Sequence, residues 1–579
     1  MTAAYESLVA RASAHKAALD ALDVPRLIVG ISGCSLAVGA GETLAELKAE
    51  LARRGIQARV ETTGCKGMCY CEPQVDVVLP GGPHVTYGNV GADQIAELVE
   101  SVLVRGDLRS DWAECHWPAR GGCASGASDG EVPGIKPASE HPFFKDQTRH
   151  ITANWGLIDP ESLESSIAAG AYRALDKALS TMTPEQVIEE VKASNISGRG
   201  GAAFPAGRKW EAARASRDRP KYVICNGEEG EPAIYKDRRM LEADPHRVIE
   251  GILINGYAIG AEHAYVYVGG EHYVAIERLT KALADASAAG VVGRRVLGTD
   301  FSMDIQIRTG AGSYAVGESS AIMSSIEGRR GQPRPKLVRS AERGVWAKPT
   351  CMNNVETHAN IPLIIERGAA WYLGIGTAKS PGTKIFALSG NVTHPGLIEA
   401  PMGTTLRQLI EMAGGMRPGR TFKAAQPGGV SSAPIGTADL DVQMALETLG
   451  QIDALLGSGG IVVFDDSVCM VDMTRYLVNF SELESCSRCT ACRVGSMRLT
   501  DILSRISTGE GRMEDFDTLD WLKGLMERTT LCGLGQAAAT PAFGAARVFR
   551  AEFEAHIKEK RCPAGVCEAL VRPVAHAAL

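Results

Sequence analysis

No uninterrupted apolar stretch in the 579 residues approaches the ~20 that a membrane-spanning helix needs, so no direct insertion into a bilayer is expected. The N-terminus, Met-Thr-Ala-Ala-Tyr-Glu-Ser, lacks the basic start and apolar run of a secretory signal peptide. A strong excess of one charge is also missing. Lys and Arg number 61 against 68 Asp and Glu, a formal net charge of -7, which argues against nucleic acid as a partner. With no leader in front of them and with short spacings between them, the fifteen cysteines read as metal and redox chemistry in a reducing compartment rather than as a disulfide framework. The expectation is a soluble, cytoplasmic protein. Its composition, 45% hydrophobic and 22% charged, is ordinary for a globular chain long enough for three or four domains.

The most informative stretch is Glu-Ser-Cys486-Ser-Arg-Cys489-Thr-Ala-Cys492-Arg, followed about forty residues later by Leu531-Cys532-Gly533-Leu534-Gly535. Three thiols at three-residue intervals converge on one face of a tight loop or helical turn, and a lone cysteine after a helix closes the fourth corner. Four thiolates so spaced suit a [4Fe-4S] cube. The alternatives are a structural zinc and inert core thiols, but zinc motifs usually arrive as two Cys-x2-Cys or Cys/His pairs.

Before this motif the chain reads in modules. An amphipathic helix to about residue 22 leads into the strand Arg26-Leu-Ile-Val-Gly-Ile-Ser and then Gly33-Cys34. After a helix from Glu42 to Arg54 and an alternating strand comes Thr63-Gly-Cys65-Lys-Gly-Met-Cys69-Tyr-Cys71-Glu-Pro73, then two strands and a last helix from about Ala92 to Val104. This order, with Gly-Cys loops after strands, resembles the thioredoxin-like [2Fe-2S] ferredoxin domain. Where that family places a further cysteine this chain has Val29 and Gly30, which leaves Cys71 as the candidate fourth ligand beside Cys34, Cys65 and Cys69, with an empty or altered site as the rival. A Gly-, Ser- and Pro-rich run follows and reads as a linker, with Cys115 and Cys123 incidental.

The longest module begins near residue 143. Ser197-Gly198-Arg199-Gly200-Gly201, running on to Lys209-Trp210, places backbone amides and a helix start where an anion could bind, with Arg199 and Lys209 as charge partners. The strand Lys221-Tyr-Val-Ile-Cys delivers an acidic tip, Asn226-Gly-Glu228-Glu229-Gly-Glu231, at a strand end, where α/β folds put ligands. Gly310-Ala-Gly312-Ser-Tyr314-Ala-Val-Gly317-Glu318 and Asn353-Asn354-Val-Glu356-Thr357 lie downstream.

These four motifs with the cysteine triplet resemble the NADH-binding flavoprotein subunit of respiratory complex I and its relatives in soluble NAD-linked hydrogenases and formate dehydrogenases, over residues 140 to 560. The resemblance implies FMN held by the glycine loop (Gly198, Arg199, Gly200, Gly201), Asn226, Glu228, Glu229, Tyr314, Gly317, Asn353, Asn354 and Thr357. Lys209, Glu231 and Glu318 would face the nucleotide or the flavin edge. Residues from Gly382 look like that family's ubiquitin-like β-grasp module, expected to act as spacer and support. The expected fold is multidomain α+β and α/β. It runs as a thioredoxin-like domain (1–106), a linker (107–142), a Rossmann-like FMN domain (143–380), a β-grasp module (381–458) and a helical [4Fe-4S] domain with a cysteine-containing tail (459–579). Cys469, His556, Cys562 and Cys567 make a complete tetrahedral zinc set, with a vestigial tail and a buried core Cys469 as the alternative.

The implied function is hydride exchange between NADH or NADPH and FMN, with single electrons passing through the [4Fe-4S] cluster to iron-sulfur and catalytic subunits of an oxidoreductase complex. The other reading is an electron conduit that keeps its clusters without nucleotide exchange. Three departures from the family, Ala212, Ser319 and Arg339, fall near the expected nucleotide site. NADH is the expected partner by resemblance and NADPH the contender.

Overall fold

The computed structural model describes residues 1–118, 132–335 and 337–571; Cys123 and the last eight residues lie outside them. Their strands form three sheets. The first contains β1 (Arg26–Gly30), β2 (Arg59–Thr63), β3 (Val75–Val78), β4 (His84–Tyr87) and β5 (Ala113–Trp117), in the order β2-β1-β3-β4-β5. Only β1 and β2 run parallel. The fifth strand comes from the stretch expected to be linker: Cys115 and Trp117 are buried against β4, so a run bordered by turn-forming residues still completes a sheet.

The second sheet is wholly parallel, with β6 (Tyr222–Gly227), β7 (His263–Gly269), β8 (Asp304–Gly310) and β9 (Thr350–Asn354) in the order β8-β7-β6-β9. β6 and β7 are buried through most of their length, as strands covered by helices on both faces must be. One covering helix, Pro245–Ile259, starts where the Asp244 carboxylate accepts from the Arg247 amide and stops at Gly260, whose φ of 71° a side chain would resist. The first helix, Ala3–Asp20, falls by sequence order with the N-terminal sheet. Instead it packs Tyr5, Leu8 and Ala12 into the core of the parallel-sheet domain, and the Tyr5 hydroxyl donates to the Ala171 carbonyl at 3.0 Å. Amphipathicity says which face a helix buries, not against which domain.

The third sheet contains β10 (Thr383–Gly390), β11 (Gly396–Pro401), β12 (Phe422–Pro427), β13 (Ile435–Gly436) and β14 (Gly460–Asp465), ordered β11-β10-β14-β12-β13. β14 sits in the middle, so the module extends past the expected boundary at 458 and the helical C-terminal region begins after it. Glu399 on β11 fastens this sheet to the domain before it. Its buried carboxylate accepts from the amides of His150 and Ile151 at 3.0 Å, from the Thr152 amide and hydroxyl at 2.9 Å, and from the Thr383 hydroxyl at 2.6 Å. Glu399→Leu leaves all these donors buried without an acceptor, and we expect a loss of about 3 kcal/mol or more in denaturant unfolding, with Glu399→Gln losing clearly less. Equal losses in the two variants would show that the hydrogen bonds do not matter.

Candidate functional site

The C-terminal ends of β6, β9 and β8 and the glycine loop meet at one edge of the parallel sheet. Asn226 and Asn354 lie in register on adjacent strands, and the Asn354 amide reaches the Asn226 carbonyl at 3.4 Å and Asp237 Oδ2 at 2.5 Å. Asn354 Oδ1 accepts from the Glu356 amide at 3.0 Å and so starts the helix Val355–Arg367. The Thr357 hydroxyl accepts from the Arg199 amide at 2.9 Å and ties the glycine loop to that helix. Gly200 is needed for the approach, since a Cβ there would stand 2.8 Å from Asn354 Cβ. Gly201 has a φ of 104°. Asn353 is buried; with its amide oriented so that its oxygen faces donors, it accepts from Trp210 Nε1 at 3.0 Å.

The two cations expected to serve an anion behave differently. The Arg199 guanidinium is buried and bonded to the Tyr372 hydroxyl at 2.8 Å, the Pro381 carbonyl at 2.7 Å and Ser197 Oγ at 3.0 Å, so it braces the loop from behind. Lys209 Nζ contacts the protein only weakly, at 3.2 Å from the Met352 carbonyl and 5.8 Å from the centre of the Phe204 ring, and burial lowers its pKa. Of the two it is the cation available to a ligand.

The acidic tip divides its three carboxylates among three tasks. Glu229 accepts from the Asp237 amide at 2.8 Å and the Arg238 amide at 3.1 Å, capping the helix Lys236–Ala243. Glu231 accepts from the Val430 amide at 3.1 Å and the Tyr314 hydroxyl at 3.4 Å, and desolvation pushes it up to about 7. Glu228 keeps both carboxylate oxygens buried without a hydrogen-bond partner. Desolvation first, then repulsion from Glu271, Glu484 and Glu229, raises it to about 8. The Asn226 side chain holds this tip by accepting from the Glu228 amide at 3.1 Å and donating to the Gly317 carbonyl at 3.0 Å. Glu318 caps the helix Ser319–Ile326, accepting from the Ser320 amide at 2.8 Å, and Ser319 Oγ donates to it at 3.1 Å. Ala212 packs on the domain core and Arg339 is exposed, and neither carries an aromatic ring.

Val430 belongs to the third sheet's domain, which therefore does more than separate its neighbours. Its Gly428-Gly429 turn, with φ of 62° and 67°, lays the Val430 amide on Glu231 and Ser431 Oγ 3.3 Å from the Tyr314 hydroxyl; a Cβ on Gly429 would stand 2.0 Å from Glu231 Oε1. Tyr314 faces two ways, because its amide donates to Glu484 Oε2 at 2.9 Å, two residues before Cys486.

Beyond that contact Cys486, Cys489, Cys492 and Cys532 line one pocket with Ala315 and Leu534. Cys489 opens the helix Thr490–Ser507 and Cys532 opens Gly533–Ala537. Burial raises the Cys532 thiol, an effect that the amides of Gly535 and Leu534 oppose, and the absence of a side chain on Gly535 leaves room for Thr530, 2.8 Å from where its Cβ would be.

Two more thiol groups stand outside this pocket. Cys469, His556, Cys562 and Cys567 are all buried, with ligand atoms within 4.8 Å of one another. His556 Nε2 lies 3.4 Å from both the Cys469 and Cys567 sulfurs, which are 3.6 Å apart, and the Glu552 carbonyl is 2.8 Å from Nδ1 and fixes the ring. A tetrahedral zinc with bonds of about 2.0–2.3 Å needs ligand edges of roughly 3.3–3.8 Å. At the N-terminus Cys34, Cys65 and Cys69 likewise lie within 4.8 Å of one another, with Cys65 and Cys69 3.9 Å apart. Cys71 is not with them. The 3₁₀ turn Cys69–Cys71 rotates about 120° per residue, so the side chain two positions on faces away. Its thiol meets the Met68 carbonyl and Gln74 Nε2, each at 3.4 Å, in the apolar cluster of Cys115 and Phe143.

Family models with the descriptions Nuo51 FMN-binding domain, SLBB domain and NADH-ubiquinone oxidoreductase-F iron-sulfur binding region match residues 191–363, 385–432 and 472–556. The chain is 47% identical over 428 residues to HndC, a subunit of the NADP-reducing hydrogenase of Solidesulfovibrio fructosivorans, an alignment covering 74% of this chain and 87% of that protein. It is 48% identical over 415 residues to the F 2 subunit of the NADH-quinone oxidoreductase of Rhizobium meliloti, covering 71% and 98%. A solved chain of an NAD+-reducing [NiFe]-hydrogenase in the H2-reduced state superposes with a TM-score of 0.61 at 25% identity, covering 96% of this chain and 91% of that one.

The position of Glu228 yields a direct stability test. The group's ordinary value is 4.5 and its folded value about 8, so between these pH values the folded state holds more protons than the unfolded one, and stability falls as pH rises. In flavin-free protein, Glu228→Gln is expected to gain little in Tm at about pH 5 and visibly more at about pH 9. A gain independent of pH would contradict the burial of the charge.

Proposed function

Because the chain belongs to the family of the NADH-quinone oxidoreductase F subunits and their hydrogenase relatives, we propose that it is the flavoprotein subunit of a multi-subunit NAD(P)H-dependent oxidoreductase. The matched domains imply FMN, which would supply two-electron hydride chemistry with the nucleotide, and a [4Fe-4S] cluster, which would supply single-electron transfer towards partner subunits. The observation that carries the reading is Tyr314, which touches the acidic tip through its hydroxyl and the cysteine-bearing segment through its amide.

The residues present suit both groups. The glycine loop, Asn226, Asn353, Asn354 and Thr357 form a backbone-rich cradle for the flavin, with Lys209 as its cation. Glu228, with two buried and unpartnered oxygens, marks a place where a ligand's donors belong. With folded values near neutrality, Glu228 and Glu231 limit the negative charge beside a site that receives a hydride. Glu318 is proposed at the nucleotide side, where it also caps its helix. Cys486, Cys489, Cys492 and Cys532 are the proposed ligands of the cube.

For the nucleotide, NADH is proposed with NADPH as contender, since one strong relative is named for NADP and the other for NADH. Cys469, His556, Cys562 and Cys567 are proposed to hold a structural zinc that ties the C-terminal tail to the helix Met470–Leu483, and Cys34, Cys65 and Cys69 to hold a [2Fe-2S] cluster. Among the described residues no helix is long and apolar enough to cross a membrane.

Anaerobic titration of the oxidised protein with each nucleotide tests the assignment: NADH or NADPH should bleach the flavin. If dithionite reduces it and neither nucleotide does, the chain is a conduit and not a dehydrogenase subunit. Cys532→Ser should abolish the [4Fe-4S] resonance of the reduced protein and leave FMN bound, because the flavin cradle lies in another domain. Elemental analysis should find one zinc per chain in the intact protein and none in Cys562→Ala; zinc-free intact protein would remove the proposed structural ion.

A further inference from the structure

The N-terminal trio offers three thiols where a [2Fe-2S] cluster takes four ligands. The stretch in which the related ferredoxin domains carry the fourth holds Val29 and Gly30. What occupies that space is a carboxylate. A Cβ built on Gly30 would stand 3.5 Å from Glu72 Oε2, so the Glu72 side chain reaches the place a side chain at residue 30 would enter. Glu72 is 7% exposed and stands three residues after Cys69, one of the trio.

The hydrogen bonding of this carboxylate is incomplete. Oε2 accepts from the Gln74 amide at 3.1 Å, while Oε1 is buried with no hydrogen-bond partner. A buried carboxylate oxygen facing no donor is strongly disfavoured unless a cation meets it. The nearby protein cations are committed elsewhere: Lys66 Nζ pairs with Asp76 at 3.0 Å, and Arg239 pairs with Glu242. An iron of the cluster is a cation that would meet it.

We infer that Glu72 is the fourth protein ligand of the N-terminal cluster, completing a Cys34, Cys65, Cys69 and Glu72 set; this rests on the proposed reading of the trio as an iron-sulfur site. Carboxylate and thiolate each bring one negative charge, so the exchange leaves the cluster's net charge unchanged. It replaces a soft ligand by a hard one on a single iron. The two irons therefore become inequivalent, which the spectra of the reduced cluster report directly.

The test uses the full chain, purified and reduced anaerobically, with iron and acid-labile sulfide analysis and electron paramagnetic resonance. The intact protein is expected to show a [2Fe-2S] resonance beside that of the cube, with the iron and sulfide of both. Glu72→Ala should lose that resonance and its iron while the cube's resonance and bound FMN persist, which shows the rest of the chain folded. The double variant Gly30→Cys, Glu72→Ala puts a thiol where the carboxylate was and should regain the iron, with g values shifted to those of an all-thiolate cluster. Retention of an unchanged [2Fe-2S] resonance in Glu72→Ala would overturn the ligand assignment alone. Intact protein with only the cube's iron and no zinc at the trio would overturn the iron-sulfur reading and the inference with it. A zinc ion at the trio that Glu72→Ala releases would keep Glu72 as ligand and overturn only the cluster.

Discussion

Passing electrons between groups held on separate domains requires a fixed separation, and in this chain one tyrosine joins the acidic tip to the cysteine-bearing segment. The Tyr314 hydroxyl lies on Glu231 and Ser431, its amide on Glu484, and its ring 5.5 Å from that of Phe480. Four segments distant in sequence thus meet at one residue: the tip after β6, the turn after β12, the helix Met470–Leu483 and the loop before Gly317. Next to it Ala315 lines the pocket of the four cysteines. A displacement of any one segment is felt by the others, because cores close-packed to this degree deform by discrete steps rather than continuously.

Behind the cradle lies a buried group of charges that an apolar core would avoid. Lys236 pairs with Asp237 at 2.6 Å and with Glu356 at 3.0 Å, while Lys384 reaches Glu356 at 3.4 Å and the Arg199 carbonyl at 3.1 Å. All four charged side chains are buried, and burial beside two other cations lowers Lys384 to about 8. Such networks seldom add stability over well-packed apolar residues, but they specify geometry, since each member has few places where its charge is met. Here the geometry specified is that of the glycine loop: Arg199 through its backbone carbonyl, Asn354 through Asp237, and β10 of the third sheet through Lys384. The pairing works across the same domain junction that Glu399 closes from the other side.

What could be read from the sequence was whatever is local. The triplet of cysteines, the glycine loop and the acidic tip are each defined within about fifteen residues, and their spacing carries the chemistry. Assignments that depend on long-range pairing were less legible. β14 reads as a strand, but its membership of the third sheet is hidden until its neighbours β10 and β12, tens of residues away, are known, and β5 hides just before a Gly- and Ser-rich run. Arg199 illustrates a different limit, for a basic residue in a glycine loop reads as an anion partner although its guanidinium is spent on Tyr372 and Pro381. Cys71 and Glu72 show the same at the scale of one residue: sequence spacing favours the thiol, while a 3₁₀ turn directs it away and leaves the adjacent carboxylate beside Gly30. Glu399 has no sequence signature, because an acceptor for several buried donors looks like any other acidic residue on a strand.

The helix Lys236–Ala243 shows how such local pieces become mechanically connected. Its N-terminus is capped by Glu229 of the acidic tip. At its other end Arg239 and Glu242 pack on the loops that carry the N-terminal thiols: the Gly33 amide donates to Glu242 at 3.4 Å, and Arg239 Nη1 would lie 3.2 Å from a Cβ on Gly33, the residue before Cys34. Ala243 closes against Gly64, where a Cβ would come within 2.6 Å of its own, so the residue before Cys65 has to be glycine. Arg278 adds a bond to the Thr63 carbonyl at 3.3 Å. A helix of eight residues is about 12 Å long and stiff, so the N-terminal thiol group is held at a set distance from the acidic tip rather than tethered by a linker. The N-terminal sheet is therefore built into the surface of the parallel-sheet domain, with its cysteine loops along the same element that shapes the candidate flavin site.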